Sequence, residues 1–163
     1  MSALTAIVDL AALLGTALVA GVFFAFSTFL MKALARLPDV QGIAAMQSIN
    51  VVVINPWFLG IFLGTAALSV GTIVLAIAGR EQPADMWLLA AAASYLVGTF
   101  LVTGVHNILL NDRLAATAAK DPAAGTAWAH YLERWTFWNH VRTGAATMSL
   151  LLYTLGLVQL GGA

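Results

Sequence analysis

The side chains able to do chemistry in this sequence gather in three short blocks. The first, SINVVVINP, carries Asn50 and Asn55. The second, HNILLNDR, carries His106, Asn107, Asn111, Asp112 and Arg113. The third, WTFWNHVRT, carries Trp135, Trp138, Asn139, His140 and Arg142. His140 is flanked by Asn139 and Arg142, and an imidazole titrating near neutral pH can act as a general base. Asn107 and Asn111 are four apart and share a helix face; Asn139 and Arg142 are three apart and do the same. Buried carboxamides need partners, so these asparagines pair with one another, with water or with a ligand.

Other chemistries find less support. His106, His130 and His140 could together bind a metal or haem iron, with haem or copper on His106 and His140 as the alternative cofactor. However, no HxxxH or HExxH spacing occurs, and no carboxylate stands at a ligand-like spacing, so no metal site is expected. Cysteine is absent, which removes disulfides and thiolate chemistry. There is no phosphate loop, dinucleotide fingerprint or serine nucleophile elbow. With seven Lys and Arg against seven Asp and Glu, nothing suggests nucleic-acid binding.

The elements holding these blocks must lie in a membrane. Charged residues make up only 9% of the 163-residue chain and hydrophobic ones 61%, where soluble domains carry roughly 25% charged residues. Four apolar stretches, residues 10–31, 56–79, 86–105 and 141–163, each meet the roughly 20 residues that cross about 30 Å of hydrocarbon. In lipid the backbone must bond within itself, so each is expected as a helix. The expectation is an all-α, integral membrane four-helix bundle forming a single domain over residues 1–163, without a cleaved leader. Asp121-Pro122 marks a helix start. Trp128, Tyr131, Leu132, Trp135 and Trp138 then follow at helical spacing, which predicts an amphipathic helix over about 123–140 in the third connection. Its aromatic residues suit a belt at the lipid headgroups or the roof of a pocket for a flat aromatic molecule.

Six of the seven Lys and Arg lie in the connections 32–55 and 107–140 or just beyond, at Arg142. The positive-inside rule then places those connections in the cytoplasm and both termini outside, as in a bacterial inner membrane. Asn50, Asn55, Asn107, Asn111, Asn139 and His140 fall at that end. The opposite end offers little beyond Asp9, Arg80, Glu81, Asp85 and Gln159, and no carboxylate is expected in a span interior. Ala17, Gly21 and Ala25, and the GxxxG of Gly60 and Gly64, are small-residue faces suited to contact within the bundle or to a homo-oligomer interface.

Four blocks, GVFFAFSTFLMKALARL (21–37), GIAAMQSIN with INPWFLGIFLGT (42–65), NILLNDRLA (107–115) and WAHYLERWTFWNHVRT (128–143), resemble the anthrone oxygenase family. The resemblance implies an integral four-helix protein. It also implies oxidation of an anthrone-like or other phenolic, apolar aromatic substrate by dioxygen without a bound cofactor. Mapped by that resemblance, His140 would be the base, with Asn107, Asn111, Asn139 and Arg142 as oxyanion donors. Trp135 and Trp138 would form walls, and Asn50 and Asn55 would complete the substrate site. The family's proline between Asn107 and Asn111 is missing here, which removes an expected helix break. A metal- or haem-dependent redox protein and a noncatalytic binding or transport protein for an apolar aromatic are the alternative classes.

Overall fold

The computed structural model describes residues 3–78, 83–118 and 121–161. Arg80, Glu81, Lys120 and residues 79, 162 and 163 of the expected spans lie outside them. Five helices account for most of the described chain: α1 (Leu4–Leu34), α2 (Asp39–Val52), α3 (Pro56–Ile77), α4 (Asp85–Ala115) and α5 (Ala124–Gly161). All but α2 are long and apolar enough to cross a membrane, and the protein is an integral membrane helical bundle. Helices α1 and α4 sit diagonally, each packed against both α3 and α5.

The bundle is patterned for lipid. Leu14, Leu18, Phe24, Leu63, Val70, Val74, Val97, Leu151 and Leu155 point outward, while Thr16, Thr65, Ser69, Thr72, Thr99 and Ser149 are buried. Apolar contact with lipid has no cost, so helix association relies on close packing and on hydroxyls that find carbonyls. Ser149 donates to the Ala91 carbonyl and Ser94 to that of Ala145, tying α4 to α5 at 2.8 and 2.9 Å.

The amphipathic segment and the fourth span are one helix. Along α5 the buried positions run Ala124, Trp128, Tyr131, Trp135, Asn139, Arg142, Ala146, Ser149, Tyr153 and Gly156. Their steps of four and three make the period of roughly 3.5 residues of a straight packing seam. With no proline or glycine between Gly125 and Gly144, nothing in the sequence stops the helix between its aqueous and membrane halves.

Helix α2 closes one end of the bundle. Ile43 and Met46 pack with Met31, Leu34, Leu114, Trp128, Tyr131 and Trp135 in one apolar cluster. Gln47 donates to the carbonyls of Leu114 and Thr117 at 2.8 and 3.1 Å, satisfying the open end of α4. Asn55 then starts α3 as its N-cap, accepting from the Trp57 and Phe58 amides, with Pro56 at the first helical position.

Wide, π-helical turns interrupt α1 at Phe26–Leu30 and α4 at Ser94–Leu101 and Thr103–Asn107. Such turns shift the phase of a helix and leave carbonyls for side chains to satisfy. Beside the first of them, Phe23 and Phe24 carbonyls accept from Asn139 and Thr28. Between Asn107 and Asn111, where the family proline is missing, α4 continues as regular α-helix to Ala115.

Two expectations are corrected. Helix α1 begins ahead of residue 10, so Asp9 is wholly buried rather than at the surface. Thr72 donates to it at 2.8 Å, and Tyr153 lies against Ser69 and Thr72. The small residues that let helices touch are also different ones. A Cβ on Gly21, Gly60 or Gly64 would meet nothing within 4 Å, so these residues do not pack within the bundle. A Cβ on Gly98 would strike Ala145, and one on Gly156 would come within 2.6 Å of Leu88. We therefore predict that Gly98→Leu destabilises the protein by about 1–3 kcal/mol through overpacking. Gly60→Leu should leave thermal unfolding in detergent nearly unchanged; equal effects would contradict the packing.

Candidate active site

A cavity of about 240 Å³ opens between α1, α2, α3 and α4, with two side chains of α5 completing it. That lies just below the roughly 300–1,000 Å³ of pockets for drug-sized ligands, and suits a small one. Its walls are Phe23, Phe26, Phe58, Phe62 and Trp135, with aliphatic residues from α1 and α2 between them. Its polar groups are Asn50, Thr103, Asn107, Asn111 and Arg142. Among the described residues, no carboxylate and no imidazole lines it.

Arg142 is 4% exposed. The buried seam of α5 turns it inward one step after Asn139. Its Nη2 donates to Asn139 Oδ1 at 2.7 Å and its Nη1 to Thr103 Oγ1 at 3.3 Å, both neutral acceptors. The guanidinium lies 4.1 Å from the Phe23 ring centroid and 5.1 Å from that of Trp135, where ring faces attract a cation. Its Nε has no partner. The charge is held by hydrogen bonds and aromatic faces, without a counter-ion among the residues that line the cavity.

Asn139 is a positioning residue behind this wall. It is wholly buried, and its Nδ2 donates to the Phe23 carbonyl and to Ser27 Oγ, both at 2.8 Å. Ser27 is bonded in turn to Thr143, whose hydroxyl donates to the Asn139 carbonyl. With both ends of its carboxamide engaged, Asn139 fixes the orientation of Arg142 against α1.

The two α4 asparagines face the cavity from the next turns. Asn111 Oδ1 accepts from Tyr131 OH and Trp135 Nε1, both at 2.8 Å. Indole nitrogen only donates, so it sets the carboxamide with its oxygen toward Trp135 and leaves Nδ2 as donor to the cavity. Asn50 lines the same cavity from α2. Asn107 is 1% exposed; its Nδ2 reaches the Trp135 carbonyl at a long 3.4 Å, and its Oδ1 has no partner. An orphan acceptor and an orphan donor on Arg142 each represent roughly 1–3 kcal/mol that a bound molecule can recover.

The sequence-predicted residues thus divide. Asn50, Asn107, Asn111, Trp135 and Arg142 come together on the cavity, and Asn139 stands directly behind it. His140, Trp138 and Asn55 do not join them. His140 is about 100° around the helix from Asn139 and is exposed in a groove with Lys32, Glu133 and Phe137. That position corrects its assignment as the base facing Asn107 and Asn111. Trp138 stacks on His106 at 3.5 Å between ring centroids, on the other side of α5, and so walls a different groove. Asn55 is engaged as a helix cap. The alternative pair of metal ligands, His106 and His140, is likewise split between separate grooves. No three His, Cys, Asp or Glu side chains cluster for a metal among the described residues.

The cavity also has residues that spacing did not single out. Phe23, Phe26, Phe58, Phe62 and Thr103 look like ordinary span residues, although Thr103 precedes Asn107 by one turn and carries the same face. The fold and site define a membrane-embedded bundle with an aromatic cavity around a buried cation. The anthrone oxygenase family model matches residues 56–152, more than half of the chain, and the protein belongs to that family. No curated protein and no solved structure matches it.

Asn139→Leu keeps the volume and removes all three of the residue's side-chain bonds. It should lower stability by about 1–3 kcal/mol, as unsatisfied buried groups do, seen in thermal unfolding in detergent. Unchanged stability would show that this network does not hold Arg142.

Proposed function

We propose that the protein is a membrane-embedded, oxygenase-like catalyst that oxidises an anthrone-like or other phenolic, apolar aromatic substrate with dioxygen. The observation that carries this reading is the buried Arg142 guanidinium, bonded only to neutral groups on the wall of an aromatic cavity. Such a cavity favours a flat ligand that becomes an anion. Its rings would lie among Phe23, Phe26, Phe58, Phe62 and Trp135. Its oxygen would meet Arg142 and Asn111 Nδ2, and a neighbouring hydroxyl would donate to Asn107 Oδ1.

An anthrone is acidic at the methylene between its outer rings because its enolate is aromatic. Arg142 stabilises that enolate in a site of low dielectric, where a fixed donor has its greatest effect. The lost proton leaves to water at the cavity mouth. The enolate gives one electron to dioxygen; superoxide and the carbon radical join at the former methylene carbon. The peroxide anion takes a proton back from water at the cavity mouth to become the hydroperoxide. The hydroperoxide then loses water, so one oxygen atom becomes the new quinone carbonyl and the other leaves as water with the two hydrogens. The reading needs no cofactor and no side-chain base. It places the cavity end at the cytoplasmic face of the membrane, as the Lys and Arg distribution favours.

The test is dioxygen uptake and quinone absorbance with anthrone and the purified protein. Arg142→Met should lower kcat/KM by roughly 10²-fold, the effect of losing one oxyanion donor, and His140→Ala should leave it near wild type. Full activity in Arg142→Met would overturn the reading. Loss confined to His140→Ala would restore a base role for the imidazole.

A further inference from the structure

Behind the cavity, on the opposite side of the α4–α5 seam, lies a second groove of about 310 Å³. Helix α4 gives it His106, Leu109, Leu110 and Arg113, and α5 gives it His130, Arg134 and Trp138. The spacing explains the convergence. His106, Leu110 and Arg113 share one face of α4, and His130, Arg134 and Trp138 recur every four residues on α5. Where the two faces meet, His106 stacks flat on Trp138, with 5° between the ring planes.

The groove is one-signed. It holds two guanidinium groups and two imidazoles, and among the described residues no Asp or Glu lines it. It is also graded along the membrane normal. Trp138, Val105 and Leu109 form the end nearer the membrane interior, while Arg113, His130 and Arg134 stand toward the aqueous half of α5. Permanent cations above an apolar, aromatic-lined slot match a ligand with an anionic head and an acyl chain. Guanidinium groups bind phosphate oxygens in a bidentate fork, and basic pockets between spans suit lipid headgroups.

We propose that this groove is a binding site for an anionic phospholipid. The phosphate diester lies between Arg113 and Arg134, with imidazole donors from His106 and His130, and the first acyl carbons lie along Leu109 and Trp138. The site uses faces of α4 and α5 that the cavity does not.

Native mass spectrometry of the detergent-released protein, reconstituted with equal phosphatidylglycerol and phosphatidylcholine, tests this. Wild type should retain phosphatidylglycerol preferentially. Arg113→Gln/Arg134→Gln should lower that preference by roughly 30-fold, the factor expected of two membrane-surface cations. Lys32→Gln/Arg36→Gln removes two exposed charges outside the groove and should retain the preference. Both arginines are exposed, and thermal unfolding of the double variant should match wild type. Bromination of the phosphatidylglycerol acyl chains should quench wild-type fluorescence more than that of Trp138→Phe. Equal retention of both lipids by wild type would overturn the proposal, as would an unaltered preference in the arginine variant. Displacement of bound phosphatidylglycerol by millimolar inorganic phosphate would identify a free-anion site instead and would equally overturn the lipid assignment.

Discussion

A charge held inside a membrane bundle sets the terms for everything around it. Arg142 is 4% exposed, and its hydrogen bonds end on a threonine and an asparagine. In a medium of low dielectric such a charge survives only if hydrogen-bond acceptors and polarisable faces replace water. Asn139, Thr103, Phe23 and Trp135 do that work. Two of these are held in turn by another element: Asn139 by α1, and Trp135 by Asn111, which Tyr131 also holds. The result is a buried cation held in one orientation on the cavity wall.

Helix α5 explains how a single chain segment joins water, interface and membrane. Its 3.5-residue seam keeps Trp128, Tyr131 and Trp135 under α2, then carries Asn139 and Arg142 to the cavity level, then Ala146 to Gly156 into the small-residue core. The aromatic residues of its first half are therefore divided between two duties. Trp135 and Tyr131 belong to the cavity's support, while Trp138 belongs to the groove behind it. The polar groups at the other end, Asp9 with Thr72, Ser69 and Tyr153, form a separate buried cluster.

The class of fold was legible because lipid imposes strict rules on composition and length, and four apolar stretches met them. The level of the site was legible for the same reason: span direction puts Asn50, Asn107, Asn111 and Asn139 at one end. Facing was harder. His140 and Asn139 are neighbours in sequence, but only one of them falls on the seam, and the distinction needed the phase of α5 rather than residue type. The buried stripe of α5 was available to settle it, since Trp128, Tyr131 and Trp135 run directly into Asn139 and Arg142. In α4, by contrast, two π-helical segments alter the phase, and the single glycine in each, Gly98 and Gly104, does not announce them. Asn55 before Pro56 carries a plain helix-capping signal, which accounts for its carboxamide without a ligand. The GxxxG motif identified a close-packing face by type, whereas contact geometry assigns that role to Gly98 and Gly156.

The central claim is that Arg142 favours the anionic form of a bound aromatic. A spectroscopic pH titration of a bound planar phenol, such as 2-naphthol, measures this directly. The phenol should ionise at lower pH when bound to wild type than in the same detergent without protein, and Arg142→Met should abolish the downward shift. A bound phenol that ionises at the same or a higher pH in wild type would contradict the account.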